Sequence, residues 1–474
     1  MARPRVVIGV DSSTQATKAL AVDVDSGEVL GEGRAGHEVS SGAARQSDPA
    51  QWWDALGAAL AGTGYADRAA AVSIGGQQHG LVTLDASGAP VRPALLWNDV
   101  QSAGAAAGLV AQLGAEAWAE RVGSVPTAAF TIAKWAWLRE HEPEAAARVA
   151  AVRLPHDYLT ERLSGAAVTD RGDVSGTGWW SPQGYDKQLL DLVGLDPRLL
   201  PEVAEPGATV GTVRAGGPLR EGALVGTGTG DNMAAALGLG LEPGLPVLSL
   251  GTSGTAYAVT RSRPADPSGT VAGFADALGR WLPLACTLNC TLAVDRVAML
   301  LGLDREAVEA GGQAVVLPFF DGERTPNLPY ASGLFHGLRH ETTPGQILQA
   351  TYDAAAYLLL NAVDEVLRAG GEQAEPDAEL ILIGGGARGA AWRRTVLRLS
   401  GRPVRVPQAG ELVALGAAAQ AAALVTGEAA DAVARRWGTG DGPLLEPVAR
   451  DVEAAERIAD TLARAGALLD SGRR

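Results

Sequence analysis

The sequence lacks most of the features that mark membrane, secreted and nucleic-acid-binding proteins. No apolar run reaches the roughly 18 residues that a membrane-spanning helix needs. Met1 to Arg5, followed at once by Val6-Val7-Ile8, lacks the layout of a secretory signal, so a cytoplasmic location is expected. Cysteine is scarce. Cys286 and Cys290 stand alone in a helix-like stretch with no histidine nearby, which argues against a metal site and for small buried thiols in a reducing compartment. Of 39 lysines and arginines only Lys18, Lys134 and Lys187 are lysines, so a lysine in a hydroxyl-rich loop carries more weight than usual. No charged block is present either. The net charge of −15 is scattered along the chain, which speaks against nucleic acid and anionic membrane as partners. It still admits a nucleotide, provided backbone N–H groups, a metal ion and a few local cations supply positive potential.

What is present is enough apolar material for several cores: 474 residues, 47% of them apolar, predict two or three domains. The chain opens with a strand at 5–10, a hydroxyl-rich turn at 11–17, a second strand at 18–24 and a third through Val29 and Leu30. Asp48-Pro49 predicts a helix start, with Asp48 as cap. The strand predicted at 69–74 runs into Gly75-Gly76-Gln77-Gln78-His79-Gly80, where glycines let the chain turn and present polar side chains. The same pattern returns at 245–259, as a strand, the turn Gly251-Thr252-Ser253-Gly254 and another strand. This repeat predicts two similar α/β domains, each offering one loop to a shared ligand, with 238–246 as the hinge. Helices at about 346–369 and 411–427 are expected to flank the second sheet, and 448–468 to form a closing amphipathic helix.

Four segments can carry chemistry. In Asp11-Ser12-Ser13-Thr14-Gln15-Ala16-Thr17-Lys18, a hairpin turn can aim N–H groups and hydroxyls at phosphate oxygens; Lys18 adds a point charge and Asp11 can hold Mg²⁺ through water. A polar turn without a ligand is the alternative, weakened by the second hydroxyl-rich hairpin at Gly251. Within Gly226-Thr227-Gly228-Thr229-Gly230-Asp231-Asn232, Asp231 is either the N-cap of the helix that follows or a general base facing a substrate hydroxyl, and the two roles are compatible. Gly384-Gly385-Gly386-Ala387-Arg388 lacks the G-x-G-x-x-G spacing, leaving simple strand-to-helix packing or a flat surface for an adenine ring. Gln77-Gln78-His79-Gly80 and Leu96-Trp97-Asn98-Asp99 combine amides, an imidazole, a carboxylate and an indole, a set suited to a polyhydroxylated sugar. The bland reading of His79 is a satisfied loop residue.

In order and spacing these segments resemble the FGGY carbohydrate kinases over nearly the whole chain. The resemblance includes Lys134-Trp135-Ala136-Trp137-Leu138, Gly230-Asp231-Asn232, and Gly333 to Leu338 with Gln346-Ile347 and Tyr352-Asp353 at set distances. Within the family, residues 77–80, 96–99, 154–159 and 322–326 are similar to the xylulokinase branch; glycerol kinases carry an Arg-Glu pair where this chain has Gln78-His79. Two departures are Gln78, where some of that branch have methionine, and Val100-Gln101, where arginine often follows. The resemblance implies an α/β fold of two actin-like (ribonuclease-H-like) ATPase domains with an interdomain cleft. Residues 1–240 would hold the sugar and the first phosphate loop, and 241–474 would bind ATP. It implies Asp231 as the catalytic base toward the C5 hydroxyl of D-xylulose, and Gln78, His79, Trp97, Asp99, Asp231 and Asn232 as sugar ligands. Thr14, Gln15, Ala16 and Lys18 would form the first phosphate loop, and Gly251 and Thr252 the second. Gly386 and Ala390 would lie near the adenosine, and Asp11 would orient Mg²⁺ through water. The expected partners are D-xylulose and ATP, with a homodimer left open. Ribulokinase, gluconokinase or another ketose kinase is the alternative within the family, and a non-catalytic actin-like ATP-binding or sugar-sensing protein the alternative outside it.

Overall fold

Val6-Val7-Ile8 is β-branched, and in the computed structural model it opens a strand, Val6–Ser12, that is buried along its whole length. The structure describes residues 4–42, 44–373, 375 and 377–469. Alternation along this strand sends Val6, Ile8 and Val10 to one face of a sheet and Val7 to the other. On the first face the helix Pro49–Gly62 contributes Trp52, Leu56 and Leu60. Asp48 caps it as expected, accepting the N–H of Ala50 at 2.9 Å, with Pro49 in the first turn.

Contacts divide the chain into two compact units. The first comprises Met1–Leu241, Ser262–Leu282 and Ala409–Gly440; the second comprises Glu242–Arg261, Pro283–Gln408 and Asp441–Arg474. Beside the expected division near 240, two later segments therefore belong with the first unit. The helix Leu412–Thr426, expected on the second sheet, packs against Val6–Ser12 and the helix Asp231–Gly238 instead. Glycines explain this. A Cβ at Gly9 would lie 1.9 Å from the Ala414 carbonyl oxygen, and one at Gly416 1.9 Å from that of Ala234. Backbones approach here as only glycine permits, and Ala414, Ala418, Ala421 and Ala422 fill the narrow layer against Val7. Among the described residues no single helix is long and apolar enough to cross a membrane.

The sheet of the first unit runs in the order Thr209–Thr212, Leu224–Gly226, Ala71–Gly76, Val6–Ser12, Ala16–Asp23, Val29–Gly36. That of the second repeats it: Leu444–Leu445, Val404–Arg405, Leu380–Ile383, Pro246–Leu250, Gly254–Ala258, Trp281–Thr287. Directions match strand for strand, with an antiparallel hairpin beside a parallel neighbour in each. In the second unit the helix Pro344–Ala369 starts on a capping box, Thr343 and Gln346 bonding each other's backbone N–H. The closing helix Val452–Leu469 packs Ile458, Ala465 and Leu469 with Val315, Leu317 and Leu358.

Two expectations are corrected. The first turn is only Ser13 to Gln15, because Ser12 and Thr17, though polar, pair across the strands and are buried. The cysteines do not share a helix: Cys286 lies in the strand Trp281–Thr287, and Cys290 immediately precedes the helix Thr291–Leu301. The buried Glu323 carboxylate forces the break between them by accepting the N–H groups of Leu288 (2.6 Å) and Asn289 (3.3 Å). Both thiols are free and buried.

Candidate active site

In the first unit, Ala71–Gly76 pairs in parallel with Val6–Ser12 and, at its end, with Thr229-Gly230. The residues that follow these two strand ends, Gln77-Gln78-His79 and Asp231-Asn232, therefore leave the sheet side by side. Asn232 Nδ2 donates to Gln78 Oε1 at 2.6 Å and to Asp231 Oδ1 at 3.0 Å, and the Asn232 backbone N–H donates to the same Asp231 oxygen at 2.8 Å. Gly230 has to be small, since a Cβ there would lie 2.6 Å from Gln78 Cγ.

The helix Asp231–Gly238 begins at Asp231 itself, with Gly230 as N-cap and no side-chain cap. The capping role considered for Asp231 is thus taken by its neighbour's backbone. Burial, and then the negative charge of Asp11, push the half-buried Asp231 carboxyl up to about 7, against the bonds from Asn232. Asp11 is buried and is itself pushed up to about 7 by burial, with Lys18 opposing the shift. Its Oδ1 has no hydrogen-bond partner. A buried carboxylate oxygen without a partner, beside a second carboxylate, suits a hard divalent cation. Among the described residues no cluster of three or more ligating side chains could hold a metal unaided, so such an ion would take its remaining ligands from water and phosphate.

Thr14 and Gln15 sit in the hairpin turn and Ala16 opens the next strand. Trp97 Nε1 donates to Thr14 Oγ1 at 3.1 Å, joining the 96–99 segment to this turn. Lys18 lies directly opposite Asp11 across the hairpin, and its ammonium pairs with Glu411 at 2.5 Å. Asp99 ties its own loop to the segment at Arg45. It is buried, and its two oxygens accept the N–H groups of Arg45 (2.8 Å) and Gln101 (2.9 Å). The structure therefore makes it a brace for that loop rather than a member of the Asp231 cluster.

His79 takes a left-handed backbone conformation, φ 59°, with its ring against Phe130 and Phe274 at centroid distances of 5.9 and 4.9 Å. A Cβ at Gly176 would lie 1.9 Å from its Cε1. Its Nε2 is 3.2 Å from Gln78 Nε2, its Nδ1 is 3.0 Å from Asp173 Oδ1, and its backbone N–H donates to that same oxygen at 3.0 Å. Asp173 is among the residues that sequence reasoning missed, together with His156, Asp170 and Glu411, while Asp157 stood in the 154–159 motif without a role. Burial opposes a charge on His156, but Asp157, Asp170 and Asp173 outweigh it and hold the imidazole up to about 9. Asp157, also buried, is pushed up to about 7, with His156 opposing the shift. The remaining signal was Asp170 and Asp173 on either side of Arg171-Gly172, yet nothing in the spacing points to His79, 94 residues from Asp173.

In the second unit, the carbonyls of Gly251 and Thr252 accept the N–H groups of Thr291 (3.1 Å) and Cys290 (3.3 Å), while the Thr252 side chain stays exposed. Gly386 is buried, since a Cβ there would lie 2.7 Å from Leu250 Cβ and 2.9 Å from Thr291 Cγ2. The open glycine is Gly385, where a Cβ would meet nothing within 4 Å, whereas one at Gly384 would lie 2.7 Å from the Leu250 carbonyl oxygen. Ala390 starts the helix Ala390–Ser400, and Glu306 accepts the N–H of Ala391 at 2.8 Å.

Two repeats of one sheet, each with a polar hairpin, and a carboxylate beside amides at a strand end are what the resemblance to actin-like sugar kinases predicts. Comparison with known proteins gives the family. The profile of the FGGY family of carbohydrate kinases matches residues 6–238 with its N-terminal domain and 247–425 with its C-terminal domain. The chain belongs to the FGGY family of carbohydrate kinases. It is 67% identical to a xylulose kinase of Streptomyces coelicolor, over 98% of this chain and 97% of that one. Identity to a xylulose kinase of Streptomyces rubiginosus is 66%, over 98% of each. The crystal structure of xylulose kinase from Bifidobacterium adolescentis, 33% identical, superposes with a TM-score of 0.83 over 97% of this chain and 99% of that one.

Proposed function

We propose that this chain transfers the γ-phosphoryl group of ATP to the C5 hydroxyl of D-xylulose, giving D-xylulose 5-phosphate and ADP. The observation that carries the reading is the Asp231 carboxylate, held at about 7 beside Asn232 and Gln78. A base with that proton affinity is matched to neutral pH. The end-to-end likeness to two proteins named xylulose kinase supports the choice of sugar.

As the sugar oxygen bonds to the γ-phosphorus, the bond from phosphorus to the bridging oxygen breaks, ADP leaves, and the hydroxyl proton passes to Asp231. The transition state is loose, so holding the hydroxyl in line matters more than removing its proton early. Gln78, His79 and Asn232 hold the sugar hydroxyls, and the Trp97 indole, fixed by its bond to Thr14, supplies an apolar wall. Thr14, Gln15, Ala16 and Lys18 on one hairpin, and Gly251 and Thr252 on the other, bind phosphate oxygens. Lys18 exchanges Glu411 for phosphate when the nucleotide arrives. Ala390 and the open face at Gly385 serve the adenosine. Asp11 is the residue that would hold Mg²⁺, which neutralises charge on the phosphates when bound.

A coupled assay over D-xylulose, D-ribulose, gluconate and glycerol tests the assignment. D-xylulose should give the highest kcat/KM. Turnover of another acceptor at least roughly tenfold more efficiently would overturn the choice of sugar and leave the family untouched.

A further inference from the structure

Beneath His79 lies a buried ionic cluster with no part in the transfer described above. His156, Asp157 and Asp173 have no exposed surface, and Asp170 is 4% exposed. His156 Nε2 lies 3.2 Å from Asp170 Oδ1, 3.3 Å from Asp157 Oδ1 and 3.6 Å from Asp173 Oδ2. Burying four ionisable groups is costly, and apolar packing would fill the space more cheaply. The cluster sits where the site's strand ends converge. A Cβ at Gly76 or at Gly228 would lie 2.9 Å from His156, and Thr229 Oγ1 donates to Asp170 Oδ2 at 2.6 Å. It also has an outlet, the Asp173 oxygen that faces His79.

A chain of polar contacts runs from that oxygen to Asp231, and both of its ends are carboxylates. Asp231 Oδ1 already accepts the Asn232 backbone N–H and so acts as an acceptor toward the side chain as well, to which Asn232 must present Nδ2; the second hydrogen of Nδ2 goes to Gln78 Oε1. Gln78 then turns its own Nε2, a donor only, toward His79 Nε2. That nitrogen must offer a lone pair, which places the imidazole proton on Nδ1. From the other end, the Asp173 carboxylate lies 3.0 Å from Nδ1, outside hydrogen-bond geometry, and its negative charge there favours the proton on the same atom. The two ends agree on one tautomer.

We propose that Asp173, seated against His156, is a positioning residue for phosphoryl transfer: it holds His79 as the Nδ1–H tautomer and so fixes the polarity of Gln78 and Asn232 around Asp231. This rests on the reading that Gln78, His79 and Asn232 face the sugar. Asparagine at 173 is nearly isosteric but no longer enforces the tautomer.

The test uses the full-length chain and the variants Asp173→Asn, His79→Gln and the double variant. In Asp173→Asn, kcat/KM for D-xylulose should fall at least roughly tenfold, by analogy with other sites where a carboxylate sets an imidazole tautomer. KM for ATP should stay within roughly twofold. The loss should not add to that of His79→Gln, because the two act through one imidazole. Nitrogen-15 spectra of histidine-labelled protein, with two ring nitrogens from each of six histidines, give a reading independent of activity. The resonance lost in His79→Gln should report Nδ1–H in the wild-type chain and shift in Asp173→Asn. Additive losses, an Nε2–H reading in the wild-type chain, or an unchanged His79 resonance in Asp173→Asn would each overturn the proposal. A wild-type chain that fails to phosphorylate D-xylulose but shows the Nδ1–H resonance would instead overturn the functional reading alone.

Discussion

Replacing Asp231 by asparagine separates catalysis from folding, because the structure fixes what the substitution removes. The helix N-cap is Gly230, so no cap is lost, and asparagine keeps an oxygen for the Asn232 N–H bond of 2.8 Å. What disappears is a carboxyl raised from 3.8 to about 7. At 1.36 kcal/mol per unit, the ionised form costs the folded state up to about 4 kcal/mol, an upper bound because partial exposure screens it. The sign follows from the raised value. Between about pH 4 and pH 7 the unfolded chain has released this proton while the folded chain keeps it, so the wild-type chain loses stability as pH rises through that window. The variant has no such loss. Without nucleotide, sugar or divalent cation, the melting temperature of Asp231→Asn should match the wild type near pH 4 and exceed it by a growing margin up to pH 7. Its phosphorylation rate should nevertheless fall by about 10²–10⁴, the range for losing a positioned acid–base group. A variant that keeps more than roughly a tenth of its activity, or melts lower at pH 8 than the wild type, would refute the reasoning.

Other outcomes follow from the same geometry. In the wild-type chain kcat/KM for the sugar should decline as pH falls through about 7, since the base must be ionised to act; a flat profile from pH 6 to 8 would remove Asp231 from that role. Gly385→Leu and Thr252→Val should raise KM for ATP without moving the melting temperature or KM for the sugar, because both positions are open. Gly386→Leu should instead lower the melting temperature, as its Cβ would press on Leu250 and Thr291, and a variant of wild-type stability would show that the packing is misread. Gly9→Ala places a methyl 1.9 Å from the Ala414 carbonyl oxygen. It should cost at least the roughly 1–3 kcal/mol typical of overpacking, read as a lower urea midpoint.

Signals that act over a few residues were legible in the sequence. The Asp48-Pro49 start, the two hairpins and the glycine turns before Gln78 and Asp231 need only neighbouring side chains to form, and the structure has each of them. Choices that depend on distant chain were not. The Ala-rich pattern of Leu412–Thr426 announces a helix apolar on every side, yet its place is decided by Gly9, Gly238 and Gly416, whose missing side chains let three backbones meet. A run of three glycines likewise does not reveal which one faces outward; contact with Leu250 buries Gly386 and leaves Gly385 open.

The candidate site divides along the same line, for a physical reason. Polar groups presented at the end of a strand need glycines to turn and to make room, so they are written contiguously in sequence, as in Gln77 to Gly80 and Gly228 to Asn232. Groups that orient those side chains are buried, and a buried charge persists only with partners. The fold draws these partners from wherever its turns converge. Asp173 reaches His79 across 94 residues, and Asp170 reaches Thr229 across 59. Neither pair leaves a spacing that can be recognised. The polar segments could therefore be picked out from the sequence, while which of their side chains share one hydrogen-bonded cluster, and which buried carboxylates stand beside it, shows only in the fold. One of those carboxylates, Asp173, becomes visible only once the chain is folded.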